Sequence, residues 1–123
     1  MRIIVIDDSE SIRDIFKMLL EIEGHEVLTA NNGEEGIKMI GEKIGIDVVI
    51  TDGQMPKKRG EEVTRYAKLN HPGLKVIFLT SDIELKGVAL AAGADSFLLK
   101  KQGMVPSVMS VIERFVEEKK EVC

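Results

Sequence analysis

Apolar residues fall along this chain in two alternating textures. Four short runs, "RIIVI" (2–6), "DVVIT" (47–51), "LKVIFLT" (74–80) and "DSFLLK" (95–100), are nearly continuous; a fifth, "HEVLTA" (25–30), alternates more. Continuous runs of this length predict strands buried on both faces, the condition of a parallel sheet. Between them the spacing becomes helical. Ile12, Ile15, Phe16, Leu19 and Leu20 mark a first helix, with Ser9 or Ser11 as its cap and Gly24 as its end. Ile37, Ile40 and Ile44 mark a second, and Val63, Tyr66, Ala67 and Asn70 a third that "NHPG" stops. Residues 82–92 form a fourth. Val105, Val108, Met109, Ile112, Phe115 and Val116 mark a fifth, with Pro106 suited to its first turn. Strand and helix thus alternate five times with short connections. Right-handed crossovers turn such a chain into an open α/β parallel sheet with helices on both faces.

Composition narrows the class. The 123 residues fit one domain, 1–123. A net charge of −4 without a basic surface signature makes nucleic acid a poor partner. No apolar run approaches the ~20 residues of a membrane span, and "IIVI" is too short for a secretory signal. The one cysteine, Cys123, has no internal partner and reads as an exposed thiol, which fits a reducing, cytoplasmic location. His25 and His71 lack metal-ligand spacing. Met1 and the charged tail "VEEKKEV" suggest a complete chain.

In open α/β sheets, ligands bind beyond the carboxyl ends of the strands. Those ends carry Asp7 and Asp8, then Asp52, then Thr80 and Ser81, then Lys100. One aspartate after a strand is ordinarily a turn former or helix cap; the whole set at one rim is harder to assign to turns. Three crowded carboxylates raise one another's pKa. Mg²⁺ relieves that crowding while keeping waters and admitting phosphate oxygens. Lys100 and Thr80 suit a phosphoryl group, and one carboxylate can serve as its nucleophile.

"VIDDSE" (5–10), "VVITDGQMP" (48–56), "VIFLTS" (76–81) and "AAGADSFLLK" (91–100), at their spacings, resemble the response-regulator receiver domain over essentially the full chain. The resemblance implies a flavodoxin-like, doubly wound five-stranded parallel sheet of order 2-1-3-4-5 with five helices. It implies that Asp52 accepts a phosphoryl group from a sensor histidine kinase or phosphotransfer protein. Asp7, Asp8, Asp52 and the backbone carbonyl of Gln54 would ligate Mg²⁺, for which Mn²⁺ can substitute. Thr80 and Lys100 would meet the phosphoryl group, and Phe97 takes the place of the switch aromatic. With no output domain in the chain, a separate protein would read the switch on the face of helix 4, strand 5 and helix 5; a phosphorylation-linked dimer is a further expectation. Such a protein is no enzyme beyond its own phosphorylation and dephosphorylation.

Several positions depart from that pattern. Lys101 follows Lys100 where proline is usual, and a cis bond there would cost about 2.5–4 kcal/mol, so trans geometry or a reshaped loop is expected. Gly53 replaces a larger apolar residue, Ser81 an alanine, and Lys57-Lys58-Arg59 an apolar and acidic stretch. Those cations either steer an anionic donor or form a solvated turn. Phe97 lacks a hydroxyl, so a switch there runs on packing. Two rival readings remain: a receiver that binds partners without phosphorylation, and a haloacid-dehalogenase-like phosphatase. The second needs a D-x-D nucleophile motif that Asp7-Asp8-Ser9 does not supply.

Overall fold

The computed structural model describes residues 1–122; Cys123 and its expected exposed thiol lie outside the described residues. Five strands alternate with five helices: β1 (Arg2–Ile6), α1 (Glu10–Ile22), β2 (Glu26–Ala30), α2 (Gly33–Glu42), β3 (Val48–Asp52), α3 (Gly60–Asn70), β4 (Lys75–Thr80), α4 (Lys86–Ala92), β5 (Ser96–Leu99) and α5 (Met104–Val122). All strand pairs are parallel, in the order β2-β1-β3-β4-β5. This order explains the sequence textures. The central strands β1, β3 and β4 carry the unbroken apolar runs, because they are covered on both faces. "HEVLTA" becomes edge strand β2, of which only Val27 and Ala30 are buried, while edge strand β5 is partly exposed throughout.

Successive residues of a strand point to opposite faces, and two apolar clusters result. Ile3, Val5, Val48, Ile50, Ile77 and Leu79 pack with Phe16 and Leu20 of α1 and Val108, Ile112 and Phe115 of α5. Across the sheet, Ile4, Ile6, Val49 and Val76 pack with Ile40 of α2 and Val63 and Ala67 of α3. Truncating a fully buried ring such as Phe16 to alanine would cost about 3–5 kcal/mol.

The helix ends follow their local chemistry, with three corrections to the sequence expectation. Ser9 caps α1, its hydroxyl accepting from the Ile12 amide at 3.4 Å. The helix stops at Ile22, and Gly24 turns the chain at φ 91°, where a side chain would be strained. Ile15 lies on the helix as expected but is half exposed. Ile44 does not belong to α2. Lys43 is already extended, and Ile44 is 87% exposed in the turn toward β3. The fourth helix is not continuous over 82–92. Asp82 caps a 3-10 turn, Ile83–Leu85, by accepting from the Glu84 amide at 2.9 Å, and α4 proper starts at Lys86.

Candidate functional site: an acidic crevice at the carboxyl edge of the sheet

Each strand ends where its apolar run ends, and the parallel register aligns those ends. Asp52 is the last residue of β3, opposite Leu79 of β4. Asp7 follows β1, Thr80 closes β4, and Lys100 follows β5, its amide donating to the Thr80 carbonyl at 2.8 Å. Ligand atoms of Asp7, Asp8 and Asp52 lie within 4.8 Å of one another. Asp7 and Asp52 are buried, at 2% and 6% exposure, whereas Asp8 faces solvent.

Lys100 bridges the two buried acids. Its Nζ is 2.7 Å from Asp7 Oδ2 and 3.3 Å from Asp52 Oδ2. The remaining oxygens are held by backbone: Ser9 N–H donates to Asp7 Oδ1 at 2.9 Å, and Gln54 N–H to Asp52 Oδ1 at 3.3 Å. Burial and then the charge of Asp7 push the Asp52 carboxyl above its ordinary pKa, against the opposing pull of Lys100. Burial disfavours the Lys100 ammonium, but its hydrogen bond to Asp7 and the charges of Asp7 and Asp52 outweigh it and hold the pKa above the usual lysine value.

Three carboxylates less one ammonium leave two negative charges uncompensated. The donor set is all hard oxygen, and the exposed Asp8 leaves an approach from water. Those are the needs of a hydrated divalent cation such as Mg²⁺, so the residues present fit that ion.

The other anticipated residues are placed as follows. Gln54 adjoins the crevice through its backbone, and its side chain is exposed. Thr80 is fully buried, its Oγ1 accepting from the Asp82 amide at 3.2 Å. Phe97 is partly buried and stacks on Phe78, with centroids 5.9 Å apart. Among the described residues there is no cis peptide, so Lys100-Lys101 is trans as expected. Lys58 and Arg59 turn toward Glu62 and Glu61 of α3, at 3.6 and 3.7 Å, which leaves less of that charge for steering.

Two neighbours of the crevice escaped the sequence reading. Arg13 donates from Nη1 to the Asp7 carbonyl at 2.7 Å, fixing the β1–α1 turn from one helical turn away. Phe78 lies against Gly53; the unusual glycine was visible in the sequence, but its partner depended on register.

Sheet and site together define a doubly wound α/β protein with a lysine-bridged acidic crevice beyond its carboxyl edge. The chain belongs to the response regulator receiver domain family of two-component systems, which it matches over residues 3–112. It is 38% identical over 104 residues to the CAI-1 autoinducer sensor kinase/phosphatase CqsS of Vibrio cholerae, covering 80% of this chain and 15% of that protein. It spans about half the length of other curated relatives it matches. A response regulator receiver domain protein from Clostridium thermocellum superposes with a TM-score of 0.88 at 38% identity, covering 99% of this chain and 98% of that one. The response regulator TrrA from Thermotoga maritima, solved in complex with Mg²⁺-BeF, superposes at 0.84 with 31% identity, covering 93% and 97%. Among the described residues, no helix is long and apolar enough to cross a membrane.

Proposed function

We propose that this chain is a phosphorylation-activated switch in which Asp52 takes a phosphoryl group from a phosphohistidine on a sensor histidine kinase or phosphotransfer protein. One observation carries the reading: the buried Asp52 carboxylate shares a crevice, within 4.8 Å, with two further acids and has an ammonium at 3.3 Å. Asp7, Asp8, Asp52 and the backbone carbonyl of Gln54 would hold Mg²⁺ or Mn²⁺, and the relative TrrA, solved with Mg²⁺-BeF, supports Mg²⁺ here. Bound there, the cation would neutralise phosphoryl oxygens.

The chain's own residues supply the rest. The environment that raises the Asp52 pKa makes its carboxylate more basic, and therefore more nucleophilic once ionised. A carboxylate oxygen forms the O–P bond as the P–N bond to the donor imidazole breaks. The electron pair of that bond stays with the imidazole, which takes a proton from solvent. Lys100 is positioned to exchange a carboxylate contact for a phosphoryl oxygen, and Thr80 to turn its hydroxyl from the Asp82 amide toward the same group. Water attack on phosphorus reverses the modification, so the chain turns over only its own phosphoryl group. The receiver unit, 1–123, acts in the cytoplasm, without nucleic acid or membrane as a direct partner.

The output reading rests on exposed apolar area. Ile83 and Leu90, at 56% and 49% exposure, and half-exposed Val88 lie along the 3-10 turn and α4. A groove beside them is lined by Ile83, Lys86, Phe97, Leu99 and Met104, joining α4, β5 and α5. Movement of Thr80 and repacking of Phe97 would reshape this face for a separate partner or a second copy.

Intact mass after incubation with a small acyl phosphate and Mg²⁺ tests the proposal. One added phosphoryl group in the wild type and none in Asp52→Asn is the expected result. Turnover of phosphomonoesters would instead indicate the phosphatase, and an unmodified wild type the partner-binding receiver.

A further inference from the structure

Phe78 is among the largest fully buried side chains, yet it belongs to neither of the two apolar clusters. Its surroundings explain why. It pairs in register with Thr51 of β3 and Phe97 of β5, and by strand alternation it shares a face with Thr80. A Cβ on Gly53, the residue after Asp52, would lie 2.7 Å from Phe78 Cε1 and 3.0 Å from Cζ. A Cβ on Gly60 would lie 3.0 Å from Phe78 Cε2, 2.4 Å from the Asp52 carbonyl oxygen and 2.7 Å from Gly53 Cα. The Gly60 amide donates to the Gly53 carbonyl at 3.2 Å. One edge of the ring therefore rests on two glycine backbones that frame the Asp52 peptide. The ring also stacks on Phe97, at 5.9 Å between centroids and 21° between planes.

We infer that Phe78 is a positioning residue for phosphoryl transfer: its ring, together with Leu85 Cδ1 at 2.9 Å, takes the volume that a side chain at 53 would occupy, fixes the backbone that carries Asp52, and passes displacement of that backbone to Phe97. This rests on the reading of Asp52 as phosphoacceptor. The chemistry of the fit supports it. Close-packed interiors have discrete arrangements and transmit small shifts. A rigid ring set between the acceptor loop and a partly exposed aromatic is a direct path for such a shift. A smaller side chain at 78 would leave the Asp52–Gly53 peptide unsupported. A methyl group at 53 would press on the ring. Each change alone should misplace the nucleophile, and the two together should restore the contact.

The test is a cycle of Phe78→Leu, Gly53→Ala and the double variant in the full chain, phosphorylated with a small acyl phosphate at saturating Mg²⁺. Each single variant is expected to slow the initial rate about ten-fold, and the double to lie within about two-fold of wild type. Because Asp52 and the Gln54 carbonyl would also hold Mg²⁺, Mg²⁺ affinity should fall in each single variant and recover in the double, and rates are compared at saturation so that this fall does not enter them. In ring-labelled protein, the Phe97 resonance should shift on adding beryllofluoride and Mg²⁺ to wild type, and should not shift in either variant that lacks the Phe78 ring. Urea unfolding confirms that each variant is folded, and Phe78→Met replaces Phe78→Leu if the latter is not. Additive losses in the double variant, or a single variant with wild-type rate and Phe97 response, would overturn the inference. A wild type that takes no phosphoryl group would instead defeat the phosphoacceptor reading itself.

Discussion

Removing the Lys100 ammonium should have opposite effects on the metal-free and the metal-loaded protein. Lys100→Met keeps the side-chain stem and deletes the charge. That charge sits 2.7 Å from Asp7 and 3.3 Å from Asp52, both nearly inaccessible to water. Breaking a buried pair by removing one partner costs about 3–5 kcal/mol, and a hydrogen bond to a charged group about 1.5–3. The Lys100 side chain is itself one-fifth exposed and the crevice opens to solvent, so the lower part of that range applies, about 2–3 kcal/mol. For a chain of this size that corresponds to a fall of about 10 °C in Tm. Acid should restore part of it. The Asp52 carboxyl already binds its proton more tightly in the fold than a free carboxyl does, and losing Lys100 removes an opposing pull. The folded state then holds more protons than the unfolded one in the window above the ordinary carboxylate pKa, so stability rises as pH falls through that window. Mg²⁺ should restore more. It meets three carboxylates with no competing ammonium and should bind on the order of ten-fold more tightly than in wild type. Urea melts with and without Mg²⁺, at neutral pH and near pH 5, measure all three effects. A variant as stable as wild type without metal, with an unchanged Mg²⁺ dissociation constant, would refute the view that Lys100 compensates a crowded acidic crevice.

Three other outcomes are expected. Asp8→Ala should raise metal-free stability by up to about 1 kcal/mol, because one of three like charges within 4.8 Å is removed, and should weaken Mg²⁺ binding; calorimetric titration and a metal-free melt read both. Gly60→Ala should destabilise by about 3 kcal/mol or more, since its Cβ would meet the Asp52 carbonyl at 2.4 Å and Gly53 Cα at 2.7 Å, neither free to rotate away; a denaturation midpoint close to wild type would contradict this. Leu90→Ser should change stability by less than about 1 kcal/mol and leave Asp52 phosphorylation intact while reducing partner binding or phosphorylation-linked dimerisation; unfolding of this variant would return Leu90 to the core.

The five strands and five helices and their order are legible in the sequence alone, apart from the 3-10 turn that opens the fourth helix. Central strands of a parallel sheet must be apolar on both faces, and that requirement is written directly into "RIIVI", "DVVIT" and "LKVIFLT". The sequence also placed the candidate site residues at the strand ends. Asp7, Asp52, Thr80 and Lys100 interrupt or end apolar runs, where a polar residue is costly without a purpose. Where an element's character depends on what it packs against, the sequence was a weaker guide. Ile44 follows the helical spacing of Ile37 and Ile40, yet the chain must leave α2 at Lys43 to reach β3. The apolar residues of α4 are not all core: it is a short helix beside an edge strand and buries mainly Ala89 and Ala92, leaving Val88 half exposed. Pairing was decided by tertiary structure alone. Lys100 divides itself between Asp7 and Asp52, and Phe78 meets Gly53, because the β1–β3–β4–β5 register sets those atoms side by side. Residues that lie 45 or more positions apart along the chain, as Lys100 and Asp52 do, carry no local signal of that contact. Periodicity records which face of a strand is buried, whereas register is fixed only when the whole sheet closes.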